Sequence, residues 1–175
     1  MPLVFKESQL QFSFDDKIWK ALKYDESPAH LRVNMNEHKA IDFLAIYKNE
    51  SIVLMEVKSF KGHRIENKNR ISSGELNIEI ARKVRDSVAG IVGTGRSKIH
   101  INHDICGDVA QKLVNANNDV LVIVWMEEDK IPNGYHRQKH KADASIRLKE
   151  LKANLSGSMQ KCLSTVFLQC QLLMA

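Results

Sequence analysis

The sequence predicts an α/β fold, a mixed central β-sheet flanked by helices, on three observations. Apolar residues run in short strand-like stretches at 40–47, 51–59 and 119–126. Between the second and third, from Glu75, the spacing turns helical, with Ile80, Val84, Val88 and Ile91 on one face and Ala81 beside it. The third stretch, "DVLVIVWMEED", is continuously apolar, as in a strand buried on both faces of a sheet. Strands and helices alternating in this way layer helices onto a sheet.

Taken in order, Ser13-Phe-Asp-Asp16 reads as a helix N-terminus, with Ser13 as cap and the acids in the first turn. Ile18, Trp19 and Leu22 supply its apolar face, and it ends before Pro28. Two strands follow at 40–47 and 51–59, then a polar, basic loop over 60–74. The helix from Glu75 stops at Gly93 and Gly95, and a shorter one carries Val109 and Leu113. After the strand from Asp119, "YHRQKHK" (135–141) leads into a helix with Ala144, Leu148, Leu151 and Leu155 inside. Val166, Leu168, Cys170 and Leu172 alternate as a last strand. The main order is helix, hairpin, helix, strand, helix, strand.

A chain of 175 residues is most simply one domain, 1–175, and is long enough to bury a core. The net charge of +5 and pI near 9.1 are compatible with a polyanionic partner without requiring one. Cys106, Cys162 and Cys170 form no CxxC pair, which excludes a zinc knuckle and a disulfide framework. The N-terminus lacks the basic start and apolar core of a signal peptide. The apolar stretch from Cys162 to Ala175 is too short and too polar to span a bilayer. A cytoplasmic, soluble protein is expected.

"KAIDFLAIYKNESIVLMEVK" (39–58) carries charge where a buried hairpin should carry none: Asp42 in the first strand, Glu56 and Lys58 in the second. Glu-x-Lys occurs five times in the chain, so the tripeptide alone means nothing. Only Glu56-Val57-Lys58 ends an apolar strand and follows another with a solitary acid. Alternation puts Glu56 and Lys58 on one face. Asp42 joins them only if Tyr47 pairs with Ser51 around a three-residue loop, Lys48-Asn49-Glu50; a two-residue turn would set Asp42 against Val57. In the first register, the two carboxylates and the Val57 backbone carbonyl supply hard oxygen ligands for Mg²⁺, with Mn²⁺ as the alternative ion. Lys58 would orient a water or stabilise transition-state charge in phosphodiester hydrolysis.

Asp42 followed by Glu56-Val57-Lys58 on the next strand resembles the PD-(D/E)xK nuclease superfamily, the restriction-endonuclease-like fold. The likeness covers roughly residues 13–126, its sharp part being the hairpin, and Ile41 stands where the family name places proline. The resemblance implies a Mg²⁺-dependent nuclease acting on nucleic acid, with DNA expected. Asp42, Glu56 and Lys58 are then catalytic, and Asp42, Glu56 and the Val57 carbonyl hold metal. Many members add a third acid from the first helix or just after it. Asp25 is preferred for that role over Glu26, Asp16 and Glu37. A homodimer is compatible with cutting both strands of a duplex. The alternative is a binding module for nucleic acid or protein that keeps the fold without turnover.

Other features weigh less. Glu79 and Lys83, four apart on the second helix, read first as a surface ion pair and second as support for the site. Arg82 and Arg85 read as solvated. "KGHRIENKNR" leaves the strand end that carries Lys58, so Lys61, Arg64, Lys68 and Arg70, with Lys83, are assigned to the phosphate backbone. His100-Ile-Asn-His103-Asp104 lacks a second ligand cluster and reads as a polar loop. Gly93-Thr-Gly95 lacks the strand–loop–helix context of a phosphate fingerprint. Cys106 reads as an inert thiol.

Overall fold

The computed structural model describes residues 1–33, 39–61, 69–70, 72–96, 103–115, 117–128, 145–146, 149–150, 153 and 167–174. The chain opens with an antiparallel hairpin of β1 (Leu3–Glu7) and β2 (Leu10–Phe14). Then come β3 (Trp19–Lys23), the short helix α1 (Pro28–Val33), β4 (Phe43–Tyr47) and β5 (Ser51–Ser59). Helices α2 (Glu75–Gly95) and α3 (His103–Leu113) precede β6 (Val120–Glu128) and β7 (Phe167–Met174). Strands β3 to β7 form one sheet in sequence order. β3, β4 and β5 are antiparallel neighbours, whereas β5, β6 and β7 run parallel. The sheet is therefore mixed, and the fold is α/β.

The helix expected from Ser13 to before Pro28 does not form. Ser13 and Phe14 finish β2, and Asp15 then closes a turn, its carbonyl accepting from the amides of Ile18 and Trp19 and its side chain from that of Lys17. Asp16 accepts from the N-terminal ammonium at 2.6 Å instead of sitting in a helical first turn. Leu3, Phe5, Leu10, Phe12, Phe14, Trp19 and Ala21 keep a period of two, and the apolar face this builds prevails over a local cap signal. The first helix begins instead at Pro28. Ser27 Oγ accepts from the His30 amide at 3.2 Å, and proline stands first inside the helix, where its missing N–H costs nothing.

The hairpin at the centre has the expected register. Tyr47 pairs with Ser51 and Phe43 with Met55, so Asp42 stands opposite Glu56. Lys48 (φ 50°) and Asn49 (φ 57°) take the left-handed turn, Glu50 N–H closes it on the Tyr47 carbonyl, and Lys112 of α3 caps the Asn49 carbonyl at 2.7 Å.

Alternation divides the core into two layers. Leu44, Ile46, Ile52, Leu54, Val122 and Val124 face Leu76, Ile80, Val84, Ile91, Cys106 and Val109 of α2 and α3. Phe43, Met55 and Val57 face the opposite way, against Phe14 and the apolar side of the β1–β2 hairpin. Gly95 ends α2 where α3 crosses it: a Cβ there would lie 2.9 Å from the Cys106 carbonyl oxygen. α3 starts at His103, so His103 and Asp104 belong to a helix and not to a loop. Within the expected 60–74 loop, residues 69, 70 and 72 are helical, and 62–68 and 71 lie outside the described residues. So do Ala144, Leu148, Leu151 and Leu155 of the helix expected ahead of the last strand, the "YHRQKHK" segment, and Val166. Among the described residues, no helix is long and apolar enough to cross a membrane.

Candidate metal centre

Asp42 is held at the mouth of β4 by its neighbours on both sides. Its carbonyl accepts from the Tyr24 amide at 2.8 Å, just past the end of β3, and its Oδ2 accepts from the Val57 amide at 2.6 Å. Behind it, the Ile41 amide donates to Ser87 Oγ of α2 at 3.0 Å. Because N–H and C=O of one strand residue point to the same edge, the Val57 carbonyl is also directed toward the β4 side, where β4 has ended.

Glu56, 1% exposed, faces α2. Its Oε1 takes two ammonium groups, Lys83 at 2.6 Å and Lys58 at 2.9 Å. Lys58 is also held by Glu79 Oε1 at 2.9 Å, and Arg70 donates to the other oxygen of Glu79. Lys83 lies 3.6 Å from Asp42 Oδ1 as well. Glu79 and Lys83 are thus not simply a surface pair: one turn apart on α2, they reach different members of the site. Arg70, assigned to a phosphate backbone, is engaged with Glu79 and more distantly Glu75. Lys61 is exposed; Arg64 and Lys68 lie outside the described residues. Arg82 and Arg85 are exposed as expected, Arg85 pairing with Asp86.

Asp25 comes to the site from the end of β3 and not from a helix. One carboxylate oxygen each from Glu7, Asp25 and Asp42 lie within 4.8 Å of one another. Of the other acids weighed for that role, Glu26 is exposed and pairs with Lys23, Asp16 binds the N-terminus, and Glu37 lies outside the described residues. Glu7 was not among the residues singled out in the sequence. It ends β1 in the same alternation as Leu3 and Phe5, and an acid in an otherwise inward-facing series was the available signal. The site thus stands at one end of the sheet, approached by α2 on one face and by the hairpin on the other.

The electrostatics follow from crowding acids with little water. Burial pushes the Glu56 carboxyl up, the Asp42 charge adds to this, and the two lysines only partly offset it. Burial also raises Asp42, against the pull of Lys83 and the Val57 N–H. Asp25 is raised to about 6 by burial and by the Asp42 charge. Burial pulls Lys58 down, but Glu56 and Glu79 outweigh it and the ammonium is held above its ordinary range. For Glu79 burial is likewise overcome, here by Lys58, and the carboxyl stays below its usual range. Cys106, buried against the core, is raised to about 11 and is an inert thiol.

The donor set fits a hard divalent cation. It consists of carboxylate oxygens, and two of them, Glu56 Oε2 and Asp25 Oδ1, are buried without a hydrogen-bond partner. Such atoms cost stability unless something positive meets them. No family model matches this chain, nor does any curated protein or any solved structure.

Proposed function

We propose that this protein is a Mg²⁺-dependent nuclease on a restriction-endonuclease-like core, hydrolysing phosphodiester bonds in DNA. One observation carries the reading: the Tyr47–Ser51 register brings Asp42 opposite Glu56, with Lys58 on the same acid and the Val57 amide on Asp42. Two acids and a lysine gathered on one face of the hairpin support the PD-(D/E)xK resemblance. The run of antiparallel β3–β5, helix and parallel β6 supports it, whereas the helix expected ahead of that run does not form and α1 stands between β3 and β4 instead.

Asp42, Glu56 and the Val57 carbonyl would hold the ion, with Asp25 and Glu7 beside them. When bound, the ion supplies Lewis-acid activation of water and charge neutralisation at phosphate. Lys58 has its Nζ fixed between Glu56 and Glu79, so it meets the reacting phosphate as an oriented ammonium that stabilises added negative charge. Lys61, exposed just past the end of β5, holds the backbone without reading bases.

The test is cleavage of linear, nicked, branched and single-stranded DNA with Mg²⁺ or Mn²⁺, and with EDTA. Asp42→Ala, Glu56→Ala and Lys58→Ala should each lower metal-dependent cleavage by roughly 10²-fold or more. Cleavage retained by all three variants would refute the reading. Tight, salt-sensitive binding with no cleavage of any substrate would replace it with a non-catalytic binding module.

A further inference from the structure

Two lysines converge on Glu56, but they are held differently. Lys58 is tied at both ends of its reach, by Glu56 and by Glu79, each at 2.9 Å. Among the described residues, the ion pairs of Lys83 are with Glu56 and Asp42 alone. Its ammonium therefore fills the gap between the two acids assigned to metal. Asp42 Oδ2 accepts from the Val57 amide, and Oδ1, which has no such bond, is the oxygen that Lys83 approaches. A Mg²⁺ ion sits about 2.1 Å from its oxygen ligands. Placed between Asp42 Oδ1 and Glu56 Oε1, the two oxygens that Lys83 contacts, it would enter the space Lys83 occupies, where burial leaves little water to screen one cation from the other.

We infer that Lys83 is an internal competitor for the metal position, a regulatory device that rests on the metal reading given above. In the metal-free protein its ammonium bridges Asp42 and Glu56 and keeps two buried carboxylates from repelling each other. When a divalent ion binds, Lys83 withdraws while Lys58, anchored by Glu79, stays. The released ammonium emerges on α2 beside exposed Arg82, free to meet a phosphate. Substrate thereby favours the withdrawn form, and metal and nucleic acid bind cooperatively.

The experiment is a calorimetric titration of the full chain with Mn²⁺ at pH 7.5, comparing wild type, Lys83→Met and Lys83→Arg, with circular dichroism to check folding. Lys83→Met is expected to lower the Mn²⁺ Kd at least tenfold, and Lys83→Arg, which keeps the charge, to stay within about threefold of wild type. A Lys83→Met Kd equal to or above that of wild type overturns this inference and leaves the metal site standing. Absence of Mn²⁺ binding by wild type and both variants overturns the metal reading itself. Should Lys83→Met fail to fold, the wild type decides alone. Acetic anhydride labelling read by mass spectrometry should modify Lys83 several-fold faster with Mn²⁺ than with EDTA. An unchanged rate would mean that Lys83 does not move.

Discussion

Replacing Asp25 by Asn removes a carboxyl whose titration differs between the folded and unfolded chain. Its folded pKa is raised from 3.8 to about 6, by burial first and the Asp42 charge second. A raised carboxyl contributes stability that is fully present below its unfolded pKa and is lost as pH climbs through the folded one. The window is therefore pH 4 to 6 and somewhat beyond. At 1.36 kcal/mol per pH unit the shift amounts to about 3 kcal/mol. Asp25 is only partly buried, and solvent screening brings the working figure to roughly 1–2 kcal/mol. Asparagine does not titrate in this range and loses no hydrogen bond at Oδ1, which has none. Urea unfolding in EDTA should thus show Asp25→Asn gaining about 1–2 kcal/mol on wild type between pH 4 and 7.5. A difference that stays flat across that range would refute the account of Asp25 as a crowded, desolvated acid. Saturating Mg²⁺ should erase the gain, because a cation beside Asp25 favours the ionised form that asparagine cannot supply.

Three further outcomes follow from named contacts. Glu7→Gln should reduce Mg²⁺-induced stabilisation at pH 7.5 by about 1 kcal/mol, a few-fold in apparent Kd measured by thermal shift, because one of the three clustered carboxylates loses its charge. Asn77→Leu should raise unfolding free energy by about 1–3 kcal/mol in chemical denaturation, since Asn77 is buried on α2 with neither amide atom bonded. Ser87→Ala should cost about 1–3 kcal/mol in the same assay, because the Ile41 amide loses its acceptor behind Asp42; it should also weaken Mg²⁺ binding.

Much of this architecture was legible where structure is local. The apolar runs at 40–47 and 51–59, the helical spacing from Glu75 and the apolar run after Asp119 each report burial, and strands at Phe43–Tyr47, Ser51–Ser59 and Val120–Glu128 and a helix at Glu75–Gly95 formed there. The register was legible too, because loop parity alone decides whether Asp42 meets Glu56 or Val57. The opening failed because Ser13, Asp15 and Asp16 imitate a cap, and nothing local shows that an aromatic face must cover Phe43. Asp25 was placed near the site on the assumption of a preceding helix, and reached it from a strand instead.

From its sequence alone, the protein carries two acids and a lysine on one face of a central hairpin, since side-chain alternation and loop length are properties of consecutive residues. Only the tertiary structure adds Glu7, and only it decides which members of the site Glu79 and Lys83 reach. The seating of α2 sends Glu79 to Lys58 and Lys83 to the two acids, although their spacing of four is that of an ordinary surface pair. Partners between 17 and 41 residues apart depend on how layers dock, and no local period records that.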